Sequence, residues 1–372
     1  MARLFFYRSL LLASLLLGEQ TWASSNDDLM FITIEEHWVS PALTQSFEAN
    51  PAAQLNHINN TAPGDDFLPR ILDVGPLRLA NMTANNIRKQ VVSHVSDPAV
   101  LDQPNLIKQA NDQLAAAIAN NTDRFAGFAF LPMVFPELAA AELERCVKKL
   151  GFVGALIDTH LNNHTFYDGA AYRPFWAKAV ELDVPIYLHP TFPRPEEFLN
   201  AGAGIYAPAS PSDFSLETAS HLGTTAWGWH QDVGLHFLRL YAAGVFEEFP
   251  TLKIVLGHMG EMVPFMLERA NVFLSGNSSR LSLIDTYARN VWITTAGFFS
   301  LNPLGTVLRN TKIDRILYSV DYPYGNSVSG KMFMNNLKES GLVSEAEWEM
   351  IAYKNAEALL KLKKRMGTKS QS

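Results

Sequence analysis

Short apolar runs rich in β-branched residues recur along the chain, separated by stretches whose apolar positions repeat with a helical period. Eight runs occur in order, at 31–37 (FITIEEH), 90–95 (QVVSHV), 125–131 (FAGFAFL), 152–159 (FVGALIDT), 185–190 (PIYLHP), 253–258 (KIVLGH), 291–297 (VWITTAG) and 315–321 (RILYSVD). Most are continuously apolar, as strands covered on both faces are. Between them, 106–120 and 137–150 read as amphipathic helices, the second closed by Gly151. Eight strands alternating with helices predict an α/β fold of the (β/α)₈ barrel type. The competing doubly wound sheet lacks its usual glycine-rich first turn here. Two longer connections, 41–86 and 191–235, are expected as inserted loops over the C-terminal face of the barrel, where they would shape a pocket.

The first 23 residues place Arg3 and Arg8 ahead of LLLASLLLG and small residues around Ala23, the layout of a cleaved secretory signal. The apolar stretch is short for a spanning helix, and an uncleaved signal anchor is the alternative. The remainder, 24–372, reads as one barrel domain without a further membrane segment. It is expected in the secretory pathway, secreted or in the lumen of a vacuole or vesicle. Sequons at Asn59, Asn81, Asn120, Asn163 and Asn277 are compatible with a glycoprotein. Cys146 is the only cysteine, so there is no intrachain disulfide, and nothing near it in sequence would activate a thiol. A net charge of −7 with no basic run gives no support to a nucleic-acid partner and favours small molecules.

Residues able to hold a metal sit at the C-terminal ends of several runs: Glu35 and His37 on the first, His189 on the fifth, His258 on the sixth and Asp321 on the eighth. Alternation along a strand sends Glu35 and His37 to one side and Glu36 to the other. Barrel geometry brings such strand ends to one face, so distant positions become neighbours. Mixed nitrogen and oxygen donors suit a divalent metal with open positions. Each histidine alone also fits a hydrogen-bonded core residue.

Taken together and in order, Glu35-x-His37, YLHP with His189, GLHFLRL with His236, LGHMGE with His258 and Glu261, VWITTAG, and RILYSVDYPY with Asp321 resemble the amidohydrolase-related, metal-dependent decarboxylases. Gamma-resorcylate and 2,3-dihydroxybenzoate decarboxylases belong to that group, and aminocarboxymuconate semialdehyde decarboxylase is a more distant relative. The likeness runs from about residue 31 to about residue 362 and implies an amidohydrolase-type barrel. It implies one metal, zinc or manganese, on Glu35, His37, His189 and Asp321; Glu35 as an oxygen ligand tilts the choice toward manganese. Binuclear relatives use a lysine at the end of the fourth strand, and LIDTH has none. The resemblance further implies Asp321 and His236 as proton-transfer residues and no organic cofactor. His258 and Glu261 are read as supporting the site, Arg78 as holding an acidic substrate or as a plain helix charge, and Phe298, Phe299, Trp227 and Trp229 as packing on a ring or in the core. Glu36 is expected in a buried or rim polar contact.

The implied activity is that of a carboxy-lyase: non-oxidative decarboxylation of a small hydroxylated aromatic acid, salicylate- or resorcylate-like, with secondary metabolism as one setting. A metal-dependent hydrolase of a lactone, ester or amide is the alternative on the same scaffold, and a non-catalytic secreted binding protein a third reading. A homodimer or homotetramer is expected by the same resemblance.

Overall fold

The computed structural model describes residues 30–50, 67–95, 97–275 and 281–362. The leader, His57, Asn59 and Asn277 lie outside the described residues. All eight predicted strands form: β1 (Phe31–Trp38), β2 (Ile87–His94), β3 (Phe125–Gly127), β4 (Ala155–Asp158), β5 (Ile186–His189), β6 (Ile254–Leu256), β7 (Val291–Thr294) and β8 (Ile316–Leu317). Neighbours pair in parallel from β1 to β3 and from β4 to β8. Two isolated parallel bridges join these arcs into a closed ring, Ala129 with Ala155 and Glu36 with Tyr322. The result is a (β/α)₈ barrel.

Helices wrap the strands where the apolar period predicts them. Pro104–Ile118 and Pro136–Leu150 each carry proline in the first turn, where its missing N–H costs no hydrogen bond. Gly151 ends the second in the left-handed conformation (φ 73°), which a residue without a Cβ adopts freely. Cys146 is buried on the inward face of that helix, and burial pushes its thiol far above the ordinary range. Trp176, Phe175 and Leu143 pack in the same core. A second apolar cluster joins Leu43, Phe47, Phe67 and Ile71 of the first long connection to Phe192 and Phe198 of the other, so both connections are packed structure.

The closure between β8 and β1 is made chiefly by side chains. Strand β8 is two residues long, and beyond it the hydroxyl of Ser319 accepts the backbone N–H groups of Ile34 (3.1 Å) and Glu35 (2.8 Å) while donating to Glu36 Oε1 (3.2 Å). In return the Glu36 carboxylate accepts the N–H groups of Val320 (3.1 Å) and Tyr322 (3.0 Å). The His37 N–H donates to the carbonyl of Tyr322 at 2.7 Å. Glu36 is fully buried, and burial pushes its carboxyl up to about 7 despite these donors. The bonds hold Asp321, whose φ of 69° is left-handed, between two anchored neighbours.

Replacing Glu36 by Gln sets an NH₂ group against backbone donors. At pH 8, Glu36→Gln is expected to cost about 2 kcal/mol of unfolding free energy, read from the urea midpoint. A midpoint equal to that of the unmodified chain would show that the stitch does not stabilise the ring.

Candidate metal centre and active site

Because the strand ends converge, residues more than 280 positions apart meet; the Tyr322 to Glu36 bond spans 286. Donor atoms of Glu35, His37 and His189 all lie within 4.8 Å of one another. Asp321 stands beside them, its Oδ1 3.1 Å from His37 Nε2. Glu35 is fully buried, anchored through Oε2 by the Tyr187 hydroxyl and by Thr294 Oγ1 at 3.2 Å. Its Oε1 faces His189 Nε2 (3.6 Å) and His258 Nε2 (3.8 Å) without a hydrogen bond. His189 Nδ1 lies 2.9 Å from the carbonyl of Pro190, an acceptor that fixes the proton on Nδ1 and frees the Nε2 lone pair. A Cβ on Gly257 would stand 3.0 Å from Glu35 Oε2 and from the Tyr187 hydroxyl, so the end of β6 approaches the carboxylate closely only as glycine.

These donors fit a divalent cation. Glu35 Oε1 and both ring nitrogens of His37 are buried with no hydrogen-bond partner among the described residues. Burial pushes the Glu35 carboxyl up to about 7 and His189 down to about 3, the direction for a carboxylate short of positive charge and a neutral imidazole. A cation would satisfy both, with Glu35, His37, His189 and Asp321 as ligands.

His258 stands beside this set, its Nε2 3.6 Å from Asp321 Oδ2 and its Nδ1 2.6 Å from Glu261 Oε1. Burial works to lower His258, but the carboxylates of Glu261, Glu35 and Asp321 outweigh it and hold the ring well above the ordinary histidine range. Burial likewise raises Asp321, and the neighbouring His258 and His37 rings outweigh it, leaving the carboxyl at about 2. The turn carrying His258 has five successive residues, His258 to Met262, at positive φ (44°, 61°, 86°, 52° and 65°). Four are not glycine, and each costs about 1–2 kcal/mol in this conformation.

A cavity of about 530 Å³ opens over Asp321 and His258. Trp227, Trp229 and Phe298 line it, together with Phe265 and Tyr324. Phe299 does not; it packs toward Phe333, 6.1 Å between ring centroids.

Two predicted roles do not match the geometry. Arg78 is fully buried, donating to the carbonyls of His37 and Asp73 and lying 4.8 Å over the ring of Tyr322. It is absent from the cavity wall and holds the end of β1; burial lowers its guanidinium, whose Nε and Nη2 donate to carbonyls while its face lies on the ring. His236 lies two turns into helix Gly228–Ala242, packed on Tyr167 (5.3 Å) and Phe166 (5.6 Å). Burial, with His160 and Arg239 nearby, pushes it down to about 3, and it too is absent from the cavity wall. The position beside Asp321 belongs to His258. His94 bonds the carbonyl of Ala110 (3.1 Å), and His160 that of Leu161 (2.9 Å).

The amidohydrolase family model matches residues 87–362. A decarboxylase of Emericella nidulans, orsB, is 45% identical over 338 residues, covering 89% of this chain and 97% of that one. A solved 2,6-dihydroxybenzoate decarboxylase in complex with 2,6-dihydroxybenzoate superposes with a TM-score of 0.74 at 33% identity, covering 90% of this chain and 99% of that one. A dihydroxybenzoic acid decarboxylase from Polaromonas, solved with manganese and the inhibitor 2-nitroresorcinol, gives 0.72 at 32% identity, with coverages of 90% and 97%. The chain belongs to the amidohydrolase family. Within that family it stands with the decarboxylases and is a carboxy-lyase, with one divalent metal as its cofactor.

The chain lacking residues 1–23 is expected to bind about one manganese or zinc per molecule, and His189→Ala to lower that content at least about tenfold, measured by elemental mass spectrometry. Full occupancy in the variant would remove His189 from the ligand set.

Proposed function

We propose that the chain decarboxylates a small hydroxylated aromatic acid of the salicylate or resorcylate type, without oxidation. The observation that carries this reading is the placement of Asp321 and His258 between the cation ligands and an aromatic-walled cavity of single-ring size. Bound there, the divalent ion supplies a fixed positive charge for the substrate carboxylate and a neighbouring phenolic oxygen. Trp227, Trp229 and Phe298 offer ring faces against which the substrate packs.

In the resting site the proton sits on His258, and Asp321, 3.6 Å away, is the carboxylate through which it reaches substrate. Asp321 delivers it to the ring carbon bearing the carboxyl group. The bond from that carbon to the carboxylate then breaks, its electron pair restores aromaticity and carbon dioxide departs. One proton is consumed per turnover. Glu261 holds His258 at 2.6 Å and keeps its Nε2 toward Asp321.

Secretory entry is part of the same proposal. Asn120 and Asn163 are exposed sequon positions. Asn81 is half-buried, and its Oδ1 accepts the Ser327 hydroxyl at 2.7 Å. Expressed in a eukaryotic secretory host, the chain is expected to lose mass on enzymatic deglycosylation, and Asn120→Gln with Asn163→Gln to lose less. An unshifted mass would argue against that route.

The activity is tested with a panel of hydroxybenzoic acids and aryl lactones, following carbon dioxide release and product mass. The expected result is loss of carbon dioxide from an ortho-hydroxylated acid, with kcat falling about 10³-fold in Asp321→Asn. A gain of water without carbon dioxide would replace this reading with hydrolysis.

A further inference from the structure

Glu261 is fully buried, and both of its carboxylate oxygens are occupied by imidazoles. Oε1 faces His258 Nδ1 and Oε2 faces His230 Nδ1, each at 2.6 Å. The far nitrogen of His230, Nε2, stands 2.9 Å from the carbonyl of Thr225. A carbonyl and a carboxylate both only accept, so the ring makes both bonds with a proton on each nitrogen, Nε2–H to Thr225 and Nδ1–H to Glu261. His230 thus ties three pieces together: the start of helix Gly228–Ala242, the cavity-lining segment that begins at Thr225, and the carboxylate behind His258.

We infer that His230 is a positioning residue for the decarboxylation: it holds Glu261 from the side opposite His258 and so sets where His258 Nε2 points. The inference rests on the functional reading above and adds to it a residue outside the metal ligands and the His258–Glu261 pair.

Two features make an outer anchor necessary. The turn from His258 to Met262 runs entirely at positive φ, a conformation its four non-glycine residues leave readily unless held in place. Glu261 lies inside that run, so its side chain can orient His258 only if its own position is secured. The helix bearing His230 comes close enough to secure it: a Cβ on Gly234 would stand 2.8 Å from the Glu261 carbonyl oxygen. His230 is one helical turn before that contact. Its side chain is 18% exposed and lines the cavity, so an Asn in its place, which keeps part of the volume, separates lost packing from a lost hydrogen bond.

The test compares His230→Ala and His230→Asn with the unmodified protein by kcat, KM and metal content. A parallel measurement follows the His258 ring N–H proton by NMR in the ¹⁵N-histidine, zinc-loaded protein. Asn keeps an N–H near the place of Nδ1; Ala does not. His230→Ala is expected to lower kcat about 10-fold to 100-fold with KM and metal content little changed, and to shift the N–H resonance upfield or broaden it away. His230→Asn is expected to recover kcat to within about threefold.

Unchanged kcat and resonance in His230→Ala would overturn the inference. So would an Asn variant as slow as the Ala variant, or a loss of metal that accounts for the loss of rate. Absence of carbon dioxide release by the unmodified protein would sink the decarboxylase reading alone, and the resonance would still decide the role of His230.

Discussion

A buried carboxylate and a serine hydroxyl close the seam between the first and last strands, and the chemistry of the site is built on that seam. Strand β8 is too short to present a full ladder to β1, so backbone donors on both sides would be left bare inside the protein. Ser319 and Glu36 take them up reciprocally. His37 and Asp321 flank the stitch, one on each strand, and so come within 3.1 Å of each other. Arg78, bonded to the carbonyl of His37 and stacked over Tyr322, clamps the seam from outside the cavity.

Each buried acid around the site meets its need for donors differently. Glu36 uses backbone N–H groups, a serine hydroxyl and Gln90. Glu261 uses two imidazoles. Asp321 faces His37 and His258. Glu35 has Tyr187 and Thr294 on one oxygen only. The remaining deficit of positive charge lies at the strand ends beneath the cavity, where a bound cation would meet it and would in turn offer positive charge to an anionic substrate.

The eight strands, the C-cap at Gly151 and the convergence of Glu35, His37, His189, His258 and Asp321 are legible in the sequence because strand runs and barrel topology are local or combinatorial properties. Period-2 alternation also separates Glu35 from Glu36 correctly, although nothing in the run FITIEEH reveals that Glu36 closes the ring. His230 is invisible at that level: in WGWHQD it has no strand end, no ligand spacing and no motif, and its partner Glu261 is 31 residues away across the fold. Membership in the connection 191–235, read as pocket-forming, is the only signal that touches it. His236 misleads for the opposite reason, since GLHFLRL stands out as a motif while its helical position turns the ring into packing. Arg78 reads as a substrate-holding residue or a helix charge because a single sequence does not show that its guanidinium meets backbone carbonyls.

The stitch between residues 34–36 and 319–322 sets an order of events during synthesis. A nascent chain emerges with Glu35 and His37 early and Asp321 only near its end, so the four candidate ligands do not stand together until the eighth strand has docked. Metal capture in full coordination is thereby a late step, completed on a finished barrel rather than on a growing one. A truncated chain ending before Ser319 would leave Glu36 without its Ser319, Val320 and Tyr322 donors and the ring unclosed, a state open to quality control.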